Sequence, residues 1–530
     1  MSGSMPITGP RQRDLQRDRN TVWLLPDSLG AKTLFADLGQ AFVIAPEPQQ
    51  RTVSTWFDSF DWRLYSSGFL LYHDRTAWRL VNRASAEETA VLDTGGVPGW
   101  RFSHEFPESS RIRSLLAPLL ANRRLLRLFR NETASDGLRI LNNDTKTVAL
   151  VAVETHRIEG GEIEIPTLRL QGVRGYNQDF DKISLFFAHY GIKNTVAPFC
   201  FFAQGVRSAG RTPLDYTSRF RPDLRPEMTA RQAMVSLYSD LLATMQRNES
   251  GTIKDLDAEF LHDFRVAVRR TRSGLSQVRK VLPAGETDFF RKEFAWLGEI
   301  TGPARDLDVH LQAESAYLAR LPEELRPGLV PFFDELRGRR LSERKRLVRR
   351  LRSRKYRELV AAWQKFLDAG GGAEETKNSG LPVTQLASRI IGRRFHGMRK
   401  AGKAINPSSP DQEYHRLRIQ GKKLRYTLEF FSALFPEKTL EPAIRQLKQL
   451  QDYLGAYNDL AVQQGELREY LSGLRPGSRR NMKLSAAIGG LVTSLGTEQD
   501  RMGKEFASRF AEFCRPENTE LFSKLSRQER

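Results

Sequence analysis

Two textures divide the chain. In residues 20–195 the apolar positions come in short stretches. "TWFDSFDWRLYSSGFLLYHDRTAWRLVNR" interleaves aromatic, polar and turn residues, which predicts hairpins. "LRILNNDTKTVALVAVETHRIEG" has the same look, with a turn predicted at Asn142-Asn143-Asp144. "GEIEIPTLRLQGV" predicts a further strand, interrupted at Pro166. Between them, "RIRSLLAPLLANRRLLRLFRNET" predicts a helix. From about residue 228 the apolar period becomes helical and strand signals vanish. Breaks are expected at Pro283, Gly302-Pro303, Pro322, Pro327, the glycine run 370–372, Pro382, Pro407 and Pro436. This half therefore reads as a run of antiparallel helices. Gly205, Gly210, Pro213, Pro222 and Pro226 mark residues 196–226 as a linker. Residues 1–19 read as a polar, disordered lead-in and 516–530 as a charged tail.

The helical half repeats itself. "HDFRVAVRRTRSGLSQVRKVLP" begins at His262 and "HRLRIQGKKLRYTLEFFSALFP" at His415, an offset of 153 residues. At that offset Arg265 aligns with Arg418, Arg269-Arg270 with Lys422-Lys423, Arg272 with Arg425, and Pro283 with Pro436. The register holds through Leu297 and Leu450, Gly302 and Gly455, Asp306 and Asp459, and Val309 and Val462. Two similar helical units related by a pseudo-two-fold axis are implied.

Charge sharpens this picture. The net charge of the 530 residues is +20. Residues 1–210 hold 25 Lys+Arg and 22 Asp+Glu, a net of +3, whereas residues 211–530 hold 58 and 41, a net of +17. Such a field draws polyanions. On a helix at ~100° per residue, Arg265, Arg269, Arg272 and Arg279 fall in one stripe with His262 at its edge. Leu261, Phe264, Val268, Leu275, Val278 and Leu282 form the adjoining apolar stripe. Pro283 is expected to end the helix. Stacked cations repel one another, yet Asp263 is the sole acid between His262 and Pro283, and Glu429 the sole acid of the second copy. A polyanion between two such stripes would resolve the repulsion, and the arginine fork suits phosphate oxygens. The two histidines read equally as phosphate ligands and as buried, hydrogen-bonded residues.

Other features carry less. The second repeated element, "LGEITGPARDLDVH" with "LQDYLGAYNDLAV", reads as a turn followed by an N-cap, in which Asp306 or Asp459 could orient an arginine. A metal pair of Asp306 and Asp308 is disfavoured because the second copy has Asp459 and Ala461. The basic runs 337–360 and 389–403 read equally as solvated helices and as extensions of an anion groove. Cys200 and Cys514 have no ligand or disulfide pattern, which fits a reducing cytoplasm. No run of about 18 apolar residues suggests a membrane span.

The phrase His-x-x-Arg-Val-x-x-Arg-Arg-x-Arg closing at Leu-Pro, followed by Arg-Asp-x-Asp-Val, resembles the CHAD family over about residues 225–515. The resemblance implies two pseudo-symmetric four-helix bundles over residues 227–515 around a basic cavity that binds inorganic polyphosphate. It also implies a cytoplasmic protein associated with polyphosphate granules. The binding residues it implies are His262, Arg265, Arg269, Arg270 and Arg272, and His415, Arg418, Lys422, Lys423 and Arg425. Arg305 joins them; Asn458 stands at its repeat position, so that contact is not duplicated. Residues 20–195 are similar to the CYTH, or triphosphate tunnel, domain, through "STWFDSFDWRLYSSGFLLYHDR" and "ALVAVETHRIEGGEIEIPTLRLQG". That implies an α+β antiparallel-sheet barrel or tunnel. The family's opening Glu-x-Glu-x-Lys is replaced by "DRNTVWLLP", with Asn20 and Val22 at the second Glu and the Lys, and Arg169 stands on the later acidic strand. Glu162 and Glu164 survive nearby. Triphosphate hydrolysis needs carboxylates to hold Mg²⁺, so no hydrolase activity and no cofactor is expected. Arg63, Arg75, Arg79 and Arg83 read as exposed strand arginines rather than phosphate ligands.

Three functions compete. The first is non-catalytic polyphosphate binding. The second is a CYTH-type, Mg²⁺-dependent triphosphate or polyphosphate hydrolase tethered by the helical region. The third is nucleic-acid binding, for which stacking aromatics among the cations are expected; Tyr426 alone fits. Polyphosphate asks only for closely spaced charge and is favoured.

Overall fold

The computed structural model of the chain describes residues 19–26, 29–96, 99–160, 163–406, 408–475 and 477–527; Glu162 and Pro407, and residues 1–18 of the expected lead-in, lie outside them. It comprises two compact units, Met1–Ser218 and Arg219–Arg530.

The first unit is an antiparallel sheet with helices. Its strands are β1 (Asn20–Leu24), β2 (Val43–Pro46), β3 (Gln50–Asp58), β4 (Phe69–His73), β5 (Ala77–Asn82), β6 (Glu88–Asp93), β7 (Leu126–Leu141), β8 (Thr147–Ile158), β9 (Glu164–Gly172) and β10 (Thr195–Val196). The helices are α1 (Ala31–Ala41), α2 (Arg63–Ser66), α3 (Arg111–Leu120), α4 (Asn177–His189) and α5 (Phe202–Ser208). The order β10-β1-β9-β8-β7-β3-β4-β5-β6, with β2 on β7 beyond β3, runs from one free end to the other. The expected barrel or tunnel is thus an open sheet. Asn142 builds the β7–β8 turn, its Oδ1 accepting the amides of Asp144 at 3.0 Å and Lys146 at 2.9 Å.

Three local expectations change here. The helix over 111–133 stops at Leu120, where Ala121 takes φ +48°, and residues from Leu126 onward join the sheet as β7. Pro166 does not interrupt β9; it stands opposite Thr155, and its carbonyl accepts the Leu25 amide at 3.0 Å. Proline lacks a donor but keeps its acceptor. The segment expected as linker is partly core. Phe199, Phe201 and Phe202 set their rings 5.4–5.6 Å from Trp56, and Asp215 accepts Trp62 Nε1 at 2.8 Å.

The second unit is helical: α6 (Ala230–Lys254), α7 (Ala258–Gln277), α8 (Ala284–Gln312), α9 (Glu314–Ala319), α10 (Arg326–Leu351), α11 (Arg354–Asp368), α12 (Val383–Lys403), α13 (Asp411–Phe430), α14 (Glu437–Ser472), α15 (Arg479–Phe513) and α16 (Pro516–Ser526). Thr229 caps α6 and Asp257 caps α7, accepting the Glu259 amide at 2.9 Å. Two apolar cores result. In one, Trp363 of α11 meets Phe290 and Phe294 of α8 at 4.5 and 5.4 Å between ring centroids. The other gathers α13, α14 and α15, and α10 and α12 contribute to both.

The helices also correct the sequence reading. Gly302-Pro303 is no break, for α8 runs through it. Nor does Pro283 end α7: the helix stops at Gln277 and Pro283 is the N-cap of α8. Residues 516–526 are not a tail. They form α16, whose buried Phe522 stacks on Phe395 at 4.1 Å.

Candidate anion site on the repeated helices

The two repeated phrases are α7 and α13, each followed by a turn and a long partner helix, α8 or α14. The apolar stripe of each faces a core: Leu261, Phe264, Val268 and Leu275 in the first, Tyr414, Leu417, Leu424 and Leu428 in the second. That anchoring holds the adjoining cations at the border of the cores. The C-terminal halves of α7 and α13 meet. Thr427 Oγ1 donates to Gln277 Oε1 at 3.2 Å, and Arg270 Nη2 to Glu429 Oε2 at 2.7 Å.

Arg265 is half-buried over α8, its Nη1 donating to the Gly298 carbonyl and to Thr301 Oγ1, both at 3.0 Å. Burial pushes this guanidinium below its ordinary value, Asp306 opposes, and Arg269, Arg305 and Arg272 add to the depression. Its counterpart Arg418 pairs with Asp459 at 3.3 Å. Burial raises the Asp306 carboxyl, against the pull of Arg265. The repeated glycines are therefore not turns. Gly302 and Gly455 lie mid-helix beneath these arginines, where an added Cβ would stand 3.5 Å from Arg265 Nη1 and 3.9 Å from Arg418 Nε. Gly298, which the sequence reading passed over, makes room for Arg272, whose Nη1 would be 2.5 Å from a Cβ there.

Lys422 is half-buried on α13. Burial, then Arg418 and Arg269, push its ammonium down to about 8; Asp459 pulls the other way and Arg425 adds to the depression. Arg269 belongs to the first copy and Arg418, Lys422 and Arg425 to the second, so the two stripes converge. Among the described residues Lys422, Arg269 and Arg272 have no ion-pair partner.

The remaining candidates divide. Arg270 leaves the stripe, pairing with Glu429 and lying 4.7 Å over the Phe220 ring. Arg425 shares Glu429 at 3.3 Å. Lys423 is half-buried on α13. Arg305 Nη1 reaches the Ala258 carbonyl at 3.4 Å. His262 is half-buried. His415 is exposed and its Nδ1 lies 2.5 Å from Asn458 Oδ1, so Asn458 holds the ring where the first copy has Arg305. In the 337–360 run, Arg340 binds Asp308 at 2.6 Å and Asp255 at 2.9 Å, and buried Arg344 holds the Thr252 carbonyl. Those two arginines are structural. Among the described residues no cluster of His, Cys, Asp or Glu could hold a metal ion.

In the first unit, three of the four arginines weighed as phosphate ligands are engaged, and the fourth, Arg75, is exposed in the β4–β5 turn. Arg79 pairs with Asp74 and Glu88, both at 2.5 Å. Arg63 pairs with Asp61 at 3.1 Å, and Arg83 lies over the Tyr65 ring at 4.1 Å.

Residues 237–468 match the CHAD domain family, so the chain carries a CHAD domain in its helical unit. An uncharacterized protein of Mycobacterium tuberculosis, Rv2226, is 25% identical over 209 residues; the match covers 39% of this chain and only 39% of that relative's length. The crystal structure of the CHAD domain from the plant Ricinus communis is similar with 24% identity and a TM-score of 0.46, over 55% of this chain and 96% of that one. A putative adenylyl cyclase from Hippeastrum, described as having a dominant triphosphatase activity, is similar with 16% identity and a TM-score of 0.25, over 38% of this chain and 100% of that one. Among the described residues no helix is long and apolar enough to cross a membrane.

Proposed function

We propose that the helical unit binds inorganic polyphosphate without turning it over, and that this binding places the protein on polyphosphate granules. One observation carries the reading. Lys422 is half-buried beside Arg269, Arg418 and Arg425; Asp459 pairs with Arg418 and Glu429 with Arg425, which leaves Lys422 and Arg269 without an ion pair among the described residues. Like charges in excess of the acids beside them raise the energy of the empty site, and a chain of closely spaced phosphates lowers it. Nucleic acid would satisfy the charge equally. Base recognition, however, needs stacking or edge readout, and the one aromatic of the α13 stripe, Tyr426, is buried against the core.

The test is calorimetry with polyphosphate in the presence of single-stranded DNA and RNA competitors, comparing the native chain with Arg269→Ala/Lys422→Ala. Among the described residues, neither has an ion pair to lose. Binding that survives the competitors and falls at least tenfold in the variant supports the reading. Equal affinity for all polyanions, or an unaffected variant, overturns it.

A further inference from the structure

We propose that the anion track does not end at the junction of α7 and α13 but continues past the C-terminal end of α7 onto α12, where Arg279, Arg393 and Arg394 form a second cationic station that selects long polyphosphate over short. This rests on the reading of the central site as a polyphosphate site.

The chain path puts the station there. Beyond Gln277 the backbone turns, Lys280 taking φ +61°. The turn is tied to the segment that leads into α12: Asn378 Nδ2 donates to the Arg279 carbonyl at 2.9 Å, and the Asn378 amide and Thr376 Oγ1 donate to the Lys280 carbonyl at 2.7 and 2.8 Å. From there α12 runs beside α13; Met398 packs against Gly421, its Cε 3.3 Å from where a Cβ would stand. Arg393 and Arg394 sit about one turn of α12 before that contact. On α13, Thr427, six residues beyond Gly421, donates to Gln277 at the end of α7 at 3.2 Å, so the end of α7 and this part of α12 border the same stretch of α13.

The charges of the station are uncompensated. Arg393 is exposed, and half-buried Arg394 makes no hydrogen bond or ion pair with the described residues. Arg279 is exposed, its Nε reaching only the Ser276 carbonyl at 3.3 Å. Burial, then Arg393 and Arg279, push the Arg394 guanidinium below its ordinary value. A solvated surface run would offer each cation room to separate or an acid to meet, as Arg346 meets Glu343 on α10 at 2.8 Å. Here three guanidinium groups from two elements share one place. Arg272 lies on α7, whereas Arg279 lies two residues beyond its last residue, Gln277, in the turn that leads away from the central cations. A short anion held by Lys422 and Arg269 does not reach the station; a long one does. Once its middle is bound, the further contact is intramolecular and raises affinity without a new binding event.

The experiment titrates the full chain with tripolyphosphate and with long-chain polyphosphate, for the native protein, Arg279→Gln/Arg393→Gln/Arg394→Gln, and Arg269→Ala/Lys422→Ala. Glutamine keeps the stems that pack and removes the charge. The proposal expects the triple variant to bind tripolyphosphate within twofold of native, to lose about tenfold for the long polymer, and to show a salt slope for the long polymer shallower by about two. Native-like binding of both lengths, or an equal loss for both, overturns the extension while leaving the central site standing. If the native chain binds neither length, the central reading fails and the extension falls with it.

Discussion

Arg270 of α7 donates to Glu429 of α13 at 2.7 Å, and the same carboxylate takes Arg425 at 3.3 Å. Glu429 stands at the repeat position of Ser276, so this acid belongs to the second copy alone. It ties the two stripes together and removes one unit of positive charge where they meet. Glu429→Gln is expected to have opposite effects on folding and binding. Losing a partly buried, charge-assisted contact should cost about 1–3 kcal/mol of stability, read by chemical denaturation. Removing the negative charge should tighten polyphosphate binding by roughly threefold at low salt. A variant that loses stability and affinity together would show that Arg270 needs its partner in order to bind ligand.

Gly298 separates folding from binding in another way. A Cβ there would stand 2.5 Å from Arg272 Nη1, the far end of a flexible side chain, and 3.5 Å from its Cζ. Gly298→Ala should therefore displace the guanidinium while the helix gains up to about 1 kcal/mol from the better helix former. The expected result is unchanged or raised thermal stability with a polyphosphate affinity several-fold weaker. Gly251→Ala is the contrast. Its Cβ would clash with the buried Phe260 ring, and a loss of about 1–3 kcal/mol is expected.

The repeat was legible because fixed spacing survives folding: helix period and offset lie on α7 and α13 as the residues suggest, although Arg279 falls beyond the end of α7. What failed was local. Gly302-Pro303 looks like a break in any window, but core packing around Leu297, Ala304 and Leu307 carries α8 through it. Arg270 follows Arg269 in the phrase, and nothing in that spacing shows its pairing with Glu429, distant by 159 residues. Residues 126–133 fall in the predicted helix because of their leucines, and only pairing with β3 and β8 makes them strand. Phe199, Phe201 and Phe202 fall where proline and glycine suggest a linker, and nothing in their spacing points to the Trp56 ring they cover.

Lys422 makes binding pH-dependent in a specific direction. Burial, then Arg418 and Arg269, hold its folded-state pKa near 8, below the ordinary value of 10.5; Asp459 opposes and Arg425 adds. Between those two values the unfolded chain binds more protons than the folded one. This group thus makes stability rise as pH rises through that window, and its cost is full below about 8. For the ligand the sign is reversed. Polyphosphate prefers the ammonium, so affinity should fall as pH rises through about 8, with proton uptake on binding there. Calorimetry in buffers of different ionisation enthalpy measures that uptake. Lys422→Arg should bind with a flat profile over the same range, and a native slope that persists in this variant would assign the titration to another group.

The first unit is expected to release no phosphate from tripolyphosphate with Mg²⁺ or Mn²⁺. Hydrolysis of this kind needs carboxylates free to hold the ion and cations free to clamp phosphate oxygens. The polar residues on this part of the sheet are already matched to one another. Arg79 is held by Asp74 and Glu88, and Arg169 donates to Glu154 at 2.9 Å. His156 lies between Thr133 and Thr167 with its ring 4.3 Å from that of Phe201. Burial, then Arg169, lowers its pKa to about 4, which leaves the ring neutral and without an imidazolium proton to give at pH 7. Freeing any of these groups means breaking an ion pair or lifting the aromatic segment from Trp56. Phosphate release should therefore stay at the level without protein, measured over hours in either metal. Release that is metal-dependent and abolished by Glu154→Gln would instead make this sheet an active site.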